Sequence, residues 1–185
     1  MKKWAVLVLL FFLSGCSGVP EEMETAMELR SRLLQSSGCS FTAKITGDYG
    51  DKVHTFLMEC QADAKGDISF TVTEPATISG ITGKLSGKEG ALTFGDTALC
   101  FELLADGQLS PVSAPWVLMN TLRSGAITAV GREDKELRLS VDDSYEDDPL
   151  RLDIWLDGDN LPKTADIFYD GRRILSVSLD TFRIL

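Results

Sequence analysis

The first cysteine of the chain ends an apolar run in a pattern that predicts covalent attachment of lipid. Lys2 and Lys3 precede ten apolar residues, and the run closes with the tetrapeptide LSGC at 13–16. Ten helical residues rise about 15 Å, half of the ~30 Å hydrocarbon core, so the run is too short for a permanent membrane span. A basic start and a short apolar stretch are typical of a secretory signal, and LSGC matches the lipobox of bacterial lipoprotein precursors. The alternative is an ordinary secretory signal with an incidental cysteine.

The chemistry expected at Cys16 is cleavage on its N-terminal side and attachment of a diacylglyceryl group to its thiol. Residues 1–15 would then be a lipoprotein signal peptide, and residues 16–19 a lipidated tether to one domain that spans 20–185. Two acyl chains such as palmitate contribute on the order of 20 kcal/mol of membrane affinity as an upper bound, at ~0.8 kcal/mol per buried methylene. We therefore predict an extracytoplasmic protein that is anchored to a membrane through Cys16.

No other group of residues has the spacing of a catalytic or metal site. The single histidine, His54, is predicted to face apolar residues beside Ile45, and no G-x-S-x-G motif accompanies it. The segment GKE at 87–89 has glutamate where a phosphate-binding loop needs Ser or Thr. The acidic run DDSYEDDP at 142–149 lacks the glycine and the spacing of an EF-hand. We therefore expect a protein that is not an enzyme and that holds no metal or cofactor.

The charge of the chain argues against nucleic acid as a partner. The sequence has 18 basic and 28 acidic residues, a net charge of −10. Removal of the predicted signal takes away two lysines and no acid, which leaves a net charge of −12. A surface of this sign repels phosphate backbones and anionic lipid head groups. The acyl anchor, and not electrostatic attraction, is expected to hold the protein at the membrane.

Two helices and a long series of strands are expected to follow the tether. Residues 20–37 are predicted to form a helix, because Pro20 suits its first turn and Gly38 suits the position after its last turn. One side of that helix carries an apolar stripe, formed by Met23, Ala26, Met27, Leu33 and Leu34. Residues 110–125 predict a second helix, which a serine and a proline introduce and Gly125 ends.

From residue 39 the apolar period changes to two, which predicts about ten antiparallel strands. Each strand has one apolar face, so the sheet is covered on one side only. A single sheet of this width is expected to curl. The sequence therefore predicts an α+β, mainly β fold, in which a strongly curved antiparallel sheet forms an incomplete barrel with the helices across its concave face.

The first hairpin brings two cysteines close together if its turn is centred on Tyr49-Gly50. Cys39 then lies opposite Cys60, which makes a disulfide between them sterically feasible. Against a bond, directly opposed residues of antiparallel strands strain disulfide geometry. Export permits disulfides, and the odd number of cysteines after Cys16 leaves at least one thiol free, which would be Cys100.

Two stretches of sequence resemble a known superfamily. FTVTEPATISGITGKLSGKEGALTFGDTAL at 70–99 and LRLDIWLDGDNLPKTADIFYDGRRILSVSLDTFRI at 150–184 follow the order of strands, prolines and glycines of the LolA/LolB lipoprotein-localisation superfamily. Within it, the short acidic form with a lipobox is most similar to the clostridial germination lipoprotein (GerS) group. The resemblance implies an eleven-stranded half-barrel with helices as a lid. It also implies either acyl chains in an apolar cavity or, as in the GerS group, binding to a cortex-modifying amidase.

The apolar concave face gives the first candidate binding site. Its lining is predicted to consist of Phe41, Ile45, Phe56, Met58, Leu118 and Met119. The same residues could instead pack on one another and leave no cavity, because a packed core and a lined pocket need the same apolar face. Binding and transfer of lipid or lipoprotein acyl chains is the alternative function that a cavity would support.

The outward face of the sheet gives the second candidate site. Trp155 and Phe168 lie on the opposite parity from the apolar residues of their strands, so both are predicted to project from the polar face. They would form a protein-contact patch, unless a loop or helix covers them as a second small core. We therefore predict a non-catalytic binding or scaffold lipoprotein of the cell envelope. The most specific form of this prediction is a germination-type partner of a cell-wall amidase.

Overall fold

Two helices and thirteen strands make up the part of the chain that is described. A computed structural model describes residues 20–48, 50, 52–87, 89–94, 97–102, 104–105, 108–145 and 149–185. Helix α1 spans Glu21–Gln35, and helix α2 spans Ala114–Ser124 after a short 3₁₀ turn at Pro111–Ser113. None of the helices in these ranges is long and apolar enough to cross a membrane.

The strands alternate along the chain with short turns, and most of them join one sheet. Their bounds are β1 Gly38–Asp48, β2 Val53–Asp63, β3 Ile68–Glu74, β4 Thr82–Ser86, β5 Glu89–Phe94, β6 Thr97–Glu102, β7 Leu104–Ala105, β8 Gln108–Leu109, β9 Ala126–Glu133, β10 Glu136–Asp142, β11 Arg151–Leu156, β12 Pro162–Tyr169 and β13 Arg172–Ile184. The sheet is eleven-stranded in the order β6-β5-β4-β3-β2-β1-β13-β12-β11-β10-β9, and β7 pairs with β8. Its end strands β6 and β9 do not pair with each other, so it is not closed into a barrel. The predicted fold class, an incomplete antiparallel barrel with helices on one face, is confirmed.

One continuous apolar core joins the sheet to both helices. From α1 the core includes Ala26, Leu29 and Leu33, and α2 contributes most of its inner side. The strands contribute every second residue, as in β10, where Leu137 and Leu139 are buried. The apolar side chains that recur every second residue in the strands thus pack against those that recur every 3.6 residues in the helices.

Helix α1 is shorter and rotated relative to the prediction. It ends at Gln35, with Ser36 in extended conformation, and Gly38 begins β1 instead of ending the helix. A Cβ at Gly38 would lie 2.1 Å from the carbonyl oxygen of Ala62, so glycine is required there by the close approach of β2. Met27 and Leu34 of the predicted buried stripe are 49% and 52% exposed, and Leu29 takes their place in the core.

The register of the first hairpin also differs from the prediction, by two residues. Asp48 pairs with Val53, so the connection has four residues instead of two. Gly50 has φ +90° and donates its N–H to Oδ1 of Asp48, 2.8 Å away, which shifts the centre of the turn toward the C-terminus. As a result Cys39 lies opposite Ala62, and Phe41 lies opposite Cys60. The predicted face-to-face pair of cysteines is therefore wrong.

Candidate functional site

The structure brings the six predicted cavity residues together at the interface between sheet and helices. Ile45, Met58 and Leu118 have no exposed surface, and Phe41 and Met119 are 3% and 1% exposed. Phe56 is partly buried and packs against the same core. These side chains belong to one continuous apolar core, so among the described residues the interface between sheet and helices is closed in this conformation. A ligand among them would require the helices to move away from the sheet.

Two buried thiols lie in this apolar core, and one of them contacts α2. Cys39 and Cys60 are both free and buried, and Cys100 is free and exposed. The Cys39 thiol lies 3.8 Å from the sulfur of Met119. Burial raises the pKa of Cys39 to about 11 from an ordinary value of 9.0, and burial together with the nearby Cys39 raises the pKa of Cys60 further. The possible Cys39–Cys60 disulfide is therefore absent here, because the register places the two residues on a diagonal and not opposite each other.

We expect these thiols to make the protein less stable at alkaline pH. Because the folded state keeps the Cys39 proton up to about pH 11, whereas an unfolded thiol loses it near 9.0, the stabilisation is complete below pH 9 and disappears as pH rises through 11. A difference of this size corresponds to about 3 kcal/mol in the free energy of unfolding. Denaturant titrations between pH 8 and 11 should show a smaller loss in the variant C39A/C60A than in the parent.

The exposed cysteine supplies the control for that experiment. The variant C100A should retain the full alkaline loss, since the thiol of Cys100 is exposed. Maleimide at pH 7.5 should modify Cys100 quickly and the two buried thiols only after unfolding. An equal loss of stability in C39A/C60A and in the parent would show that other groups cause the alkaline effect.

A pair of arginines joins the C-terminal ends of the two helices. Arg30 of α1 donates from Nε to the carbonyl oxygen of Leu122 and from Nη2 to that of Gly125, both at 2.8 Å. Arg123 of α2 donates in return to the carbonyl oxygen of Leu33 at 2.7 Å. The last carbonyls of a helix have no partner within it and carry partial negative charge, so a guanidinium is well suited to bind them. Each helix thus caps the other, and we call this arrangement the arginine latch.

Arg123 also attaches the latch to the sheet. Its Nη2 donates to the carbonyl oxygen of Ala64, 2.7 Å away, in the turn between β2 and β3. A Cβ at Gly66, whose φ is +93°, would lie 3.2 Å from Nε of Arg123. Burial lowers the pKa of Arg30, which is consistent with a guanidinium enclosed between the helices. The helices that cover the concave face are therefore fixed to each other and to one hairpin.

Two hydroxyl groups lie in the apolar interface without a hydrogen-bond partner. Ser113 and Thr121 are fully buried, and the Oγ of Ser113 and the Oγ1 of Thr121 accept and donate nothing within the described residues. They lie eight residues apart, so with Val117 they share one side of α2. Unpaired buried hydroxyls cost free energy that a polar partner would recover.

On the outer face of the sheet, Trp155 and Phe168 are half-buried, each beneath an arginine. The guanidinium of Arg138 lies 5.5 Å from the centroid of the Trp155 ring, and that of Arg151 lies 4.6 Å from the Phe168 ring. The indole N–H of Trp155 donates to Glu133 at 2.9 Å. The two aromatic residues lie on the predicted face, but they are not cross-strand neighbours.

A network of carboxylates and arginines separates the two aromatic residues. Asp153 is 3% exposed and accepts hydrogen bonds of 2.7 Å from Arg138 and from Ser140. It lies opposite Asp166, which accepts from Arg173 at 3.1 Å and from Ser176 at 2.7 Å. Two opposed carboxylates would repel each other without these donors. The candidate contact surface is therefore two arginine-covered aromatic rings with a polar network between them, in which Nε of Arg138 is buried without a partner among the described residues.

A polar groove of about 690 Å³ crosses the outer face at the other half of the sheet. One row of cross-strand neighbours in it is formed by Thr42, Glu59, Thr71, Thr82 and Thr93. The second row contains Ser40, Gln61, Ser69 and Lys84. Hydroxyl, amide and charged groups do not suit acyl chains, so this groove does not serve the lipid hypothesis.

The remaining predicted residues divide into exposed and undescribed positions. His54 is exposed and lies opposite Gly47 instead of Ile45, because of the same two-residue shift in register. A shift of two residues keeps it on the face of Phe56, whose ring centroid lies 6.4 Å away. Within the described ranges, no three His, Cys, Asp or Glu side chains could hold a metal ion together. Cys16, the signal segment 1–15 and the tether 16–19 lie outside the described residues.

Comparison with known proteins finds similarity in fold only. No protein-family model matches the sequence, and no curated protein matches it. Similar solved structures include a LolA superfamily protein from Nitrosomonas europaea, at 10% identity, with 86% of this chain and 93% of that chain covered and a TM-score of 0.47. A putative outer membrane lipoprotein-sorting protein domain from Vibrio parahaemolyticus has 9% identity, 89% and 92% coverage and a TM-score of 0.48. The lipoprotein LppX from Mycobacterium tuberculosis has 10% identity, 87% and 92% coverage and a TM-score of 0.41. At these values the similarity assigns no ligand or partner to this chain.

Some residues of these sites were not predicted from the sequence. Arg30 interrupts an apolar stripe, which is a signal that such an arginine has a specific partner, but its partners lie more than 90 residues away. The outward-facing threonines follow from period two, whereas the groove that they line depends on how six strands, β1–β5 and β13, curve together. The candidate site is thus the closed interface with its arginine latch, together with the outer-face residues Trp155 and Phe168.

Proposed function

We propose that this protein is a lipid-anchored, non-catalytic binding or scaffold lipoprotein on the extracytoplasmic side of a bacterial membrane. The observation that carries the proposal is the closed interface, in which the helices of the protein itself occupy the concave face. A carrier needs an open cavity, whereas a scaffold needs a rigid body with an exposed contact surface. The arginine latch favours the rigid body, since it fixes both helices at the same end.

The contact surface that we assign to the partner is the outer face around Trp155 and Phe168. Half-buried aromatic rings beneath arginines combine apolar area with cation–π and hydrogen-bonding capacity, a composition that is typical of protein interfaces. The resemblance to the GerS group supports one specific partner, a cortex amidase of the cell wall. This finer assignment depends on the resemblance, and the binding role depends on the interface and the outer face.

A pull-down experiment tests the scaffold role. The protein, purified from cells under gentle conditions, should retain an envelope hydrolase, and W155A or F168A should reduce the amount recovered about tenfold, as expected for loss of an aromatic hot spot. Tyr145 is 85% exposed and lies in a loop, so Y145A is a matched aromatic control that should change nothing. Equal recovery with W155A, F168A and the parent would remove this surface from the proposal.

The alternative function is binding and transfer of lipid or lipoprotein acyl chains beneath the helices. The unpaired hydroxyls of Ser113 and Thr121 favour it, because a ligand with polar groups at one end could satisfy them. Native mass spectrometry of residues 17–185 separates the two functions. A stoichiometric lipid adduct would support the carrier, and a clean unliganded mass together with the recovered hydrolase would support the scaffold.

A further inference from the structure

Strand β9 is an end strand of the sheet, which helix α1 contacts and to which it is joined by an ion pair of 3.6 Å between Glu22 and Arg132. It pairs with β10 on one side, and no described strand pairs with its other side. Its residues 126–131 carry no charge and no proline, and most of the strand is exposed or half-exposed. Natural proteins usually protect an edge with lysine, proline or a covering element. An edge of this kind can accept an extended segment as an additional strand.

Beside this edge, the outer face has a hollow of about 280 Å³. Ala129 and Gly131 of β9 lie opposite Ser140 and Arg138 of β10, so small residues form its floor and a guanidinium forms one wall. A Cβ built on Gly131 would meet no atom within 4 Å. The hollow is therefore open above Gly131, and a side chain from a neighbouring strand would fit there.

The same protein shows how such a glycine is covered when a neighbouring strand is present. Gly83 of β4 lies opposite Phe70 of β3, and a Cβ at Gly83 would lie 2.3 Å from the Cζ atom of that ring. The aromatic ring thus rests directly on the glycine backbone, a cross-strand arrangement that stabilises glycine within a sheet. Gly131 lies beside the position that a neighbouring strand would occupy, but on the outward face of the sheet, whereas Gly83 lies on the inward face.

The guanidinium in the wall of the hollow favours an aromatic side chain. Arg138 lies over the Trp155 ring and lines the hollow together with Glu133, whose carboxylate lies 3.9 Å from Arg138 and accepts from the indole N–H of Trp155. A planar cation can stack on a second electron-rich ring on its other side. An aromatic ring above Gly131 would therefore complete a stack in which Arg138 separates it from Trp155.

From these features we infer that the free edge of β9 binds an extended segment of the protein partner, which adds as a twelfth strand and places an aromatic side chain over Gly131. This inference rests on the proposed binding function and names the chemistry of the partner. The inward side chains of the added strand would be apolar beside Ile127 and Val130, which pack against the core, whereas Arg132 at the end of the same row pairs with Glu22 of α1. A second copy of the chain is the competing occupant.

Fluorescence anisotropy with two labelled peptides tests the inference on the mature protein purified from cells. The probes are KVTVFVTVK and KVTVAVTVK, in which the valines face inward when the central residue faces outward. They differ only in that central residue and so share length and charge. The phenylalanine peptide should bind about tenfold more tightly than the alanine peptide, a typical gain from one buried aromatic ring. Hydrogen exchange should then slow at the backbone amides of 126–133.

The variant G131T provides the decisive comparison, because it fills the hollow and is compatible with the strand. It should weaken binding of the phenylalanine peptide about tenfold, whereas G158T in the turn between β11 and β12, where a Cβ also meets nothing, should leave binding unchanged. Equal binding of the two peptides, no binding of either, or no effect of G131T would overturn the inference. A concentration-dependent dimer that G131T abolishes would also overturn it and assign the edge to a second copy. If the peptides fail while the pull-down still depends on Trp155, only this inference fails and the binding function stands.

Discussion

Replacing Cys16 with alanine should move the protein from the membrane fraction to the soluble fraction. Two acyl chains contribute on the order of 20 kcal/mol as an upper bound, so the anchored protein should be almost entirely membrane-bound and the variant almost entirely released. Fractionation followed by immunoblotting measures the shift, and incorporation of labelled palmitate should fall to background. This is the largest effect that we expect from a single substitution.

The control for Cys16 is a second substitution in the same tetrapeptide. S14A keeps a small residue before the cysteine, so the peptidase should still cleave and the protein should stay in the membrane fraction. Mass spectrometry of the mature N-terminus should find a lipidated Cys16 in S14A and in the parent. If C16A remained membrane-bound, or if the mature chain began at another residue, the anchor would have to be placed elsewhere.

Removal of the arginine latch should give the second largest effect. The double variant R30M/R123M keeps most of the aliphatic volume and removes four charge-assisted hydrogen bonds to backbone carbonyls. Because hydrogen bonds to charged groups contribute about 1.5–3 kcal/mol when buried and less when exposed, we expect the free energy of unfolding to fall by about 2–4 kcal/mol. Urea titration measures the loss, and increased binding of an apolar dye would report exposure of the interface.

The two arginines should act together, and a nearby arginine serves as the control. R30M and R123M alone should each lose part of the free energy of unfolding that the double variant loses. The two losses should not sum to that of the double variant, because both arginines hold the same pair of helices. Arg32 is exposed in the last turn of α1 only two residues from Arg30, so R32M should change stability by less than about 0.5 kcal/mol. A double variant as stable as the parent would show that the helices are held by apolar packing alone.

The variant without the arginine latch also distinguishes the scaffold function from the carrier function. If R30M/R123M gained a stoichiometric lipid that the parent lacks, the closed interface would be a gated cavity, and the alternative function would gain support. If the double variant lost stability without binding lipid, the helices would be part of the core. The second outcome is the one that the packing of Ile45, Met58 and Leu118 leads us to expect.

The sequence alone predicted the two helices, most of the strands and the class of the fold. Period two in the strands and the two helical segments were sufficient for a single antiparallel sheet with helices on one face, because side-chain alternation is a local property of the backbone. The outward position of Trp155 and Phe168 follows from the same alternation. The lipidation of Cys16 is also a prediction from local sequence, since a peptidase reads an extended segment and not a fold.

Only the tertiary structure decided the register and the long-range partners. Because the turn has four residues instead of two, Cys39 lies opposite Ala62 and not opposite Cys60. This difference depends on one glycine with positive φ and one aspartate side chain. In the sequence Arg30 only interrupts an apolar stripe, and its acceptors at the C-terminus of α2 are visible only in the structure. Patterns along the chain constrain which side faces inward, whereas contacts between segments 90 residues apart depend on how the sheet curves, which no local pattern encodes.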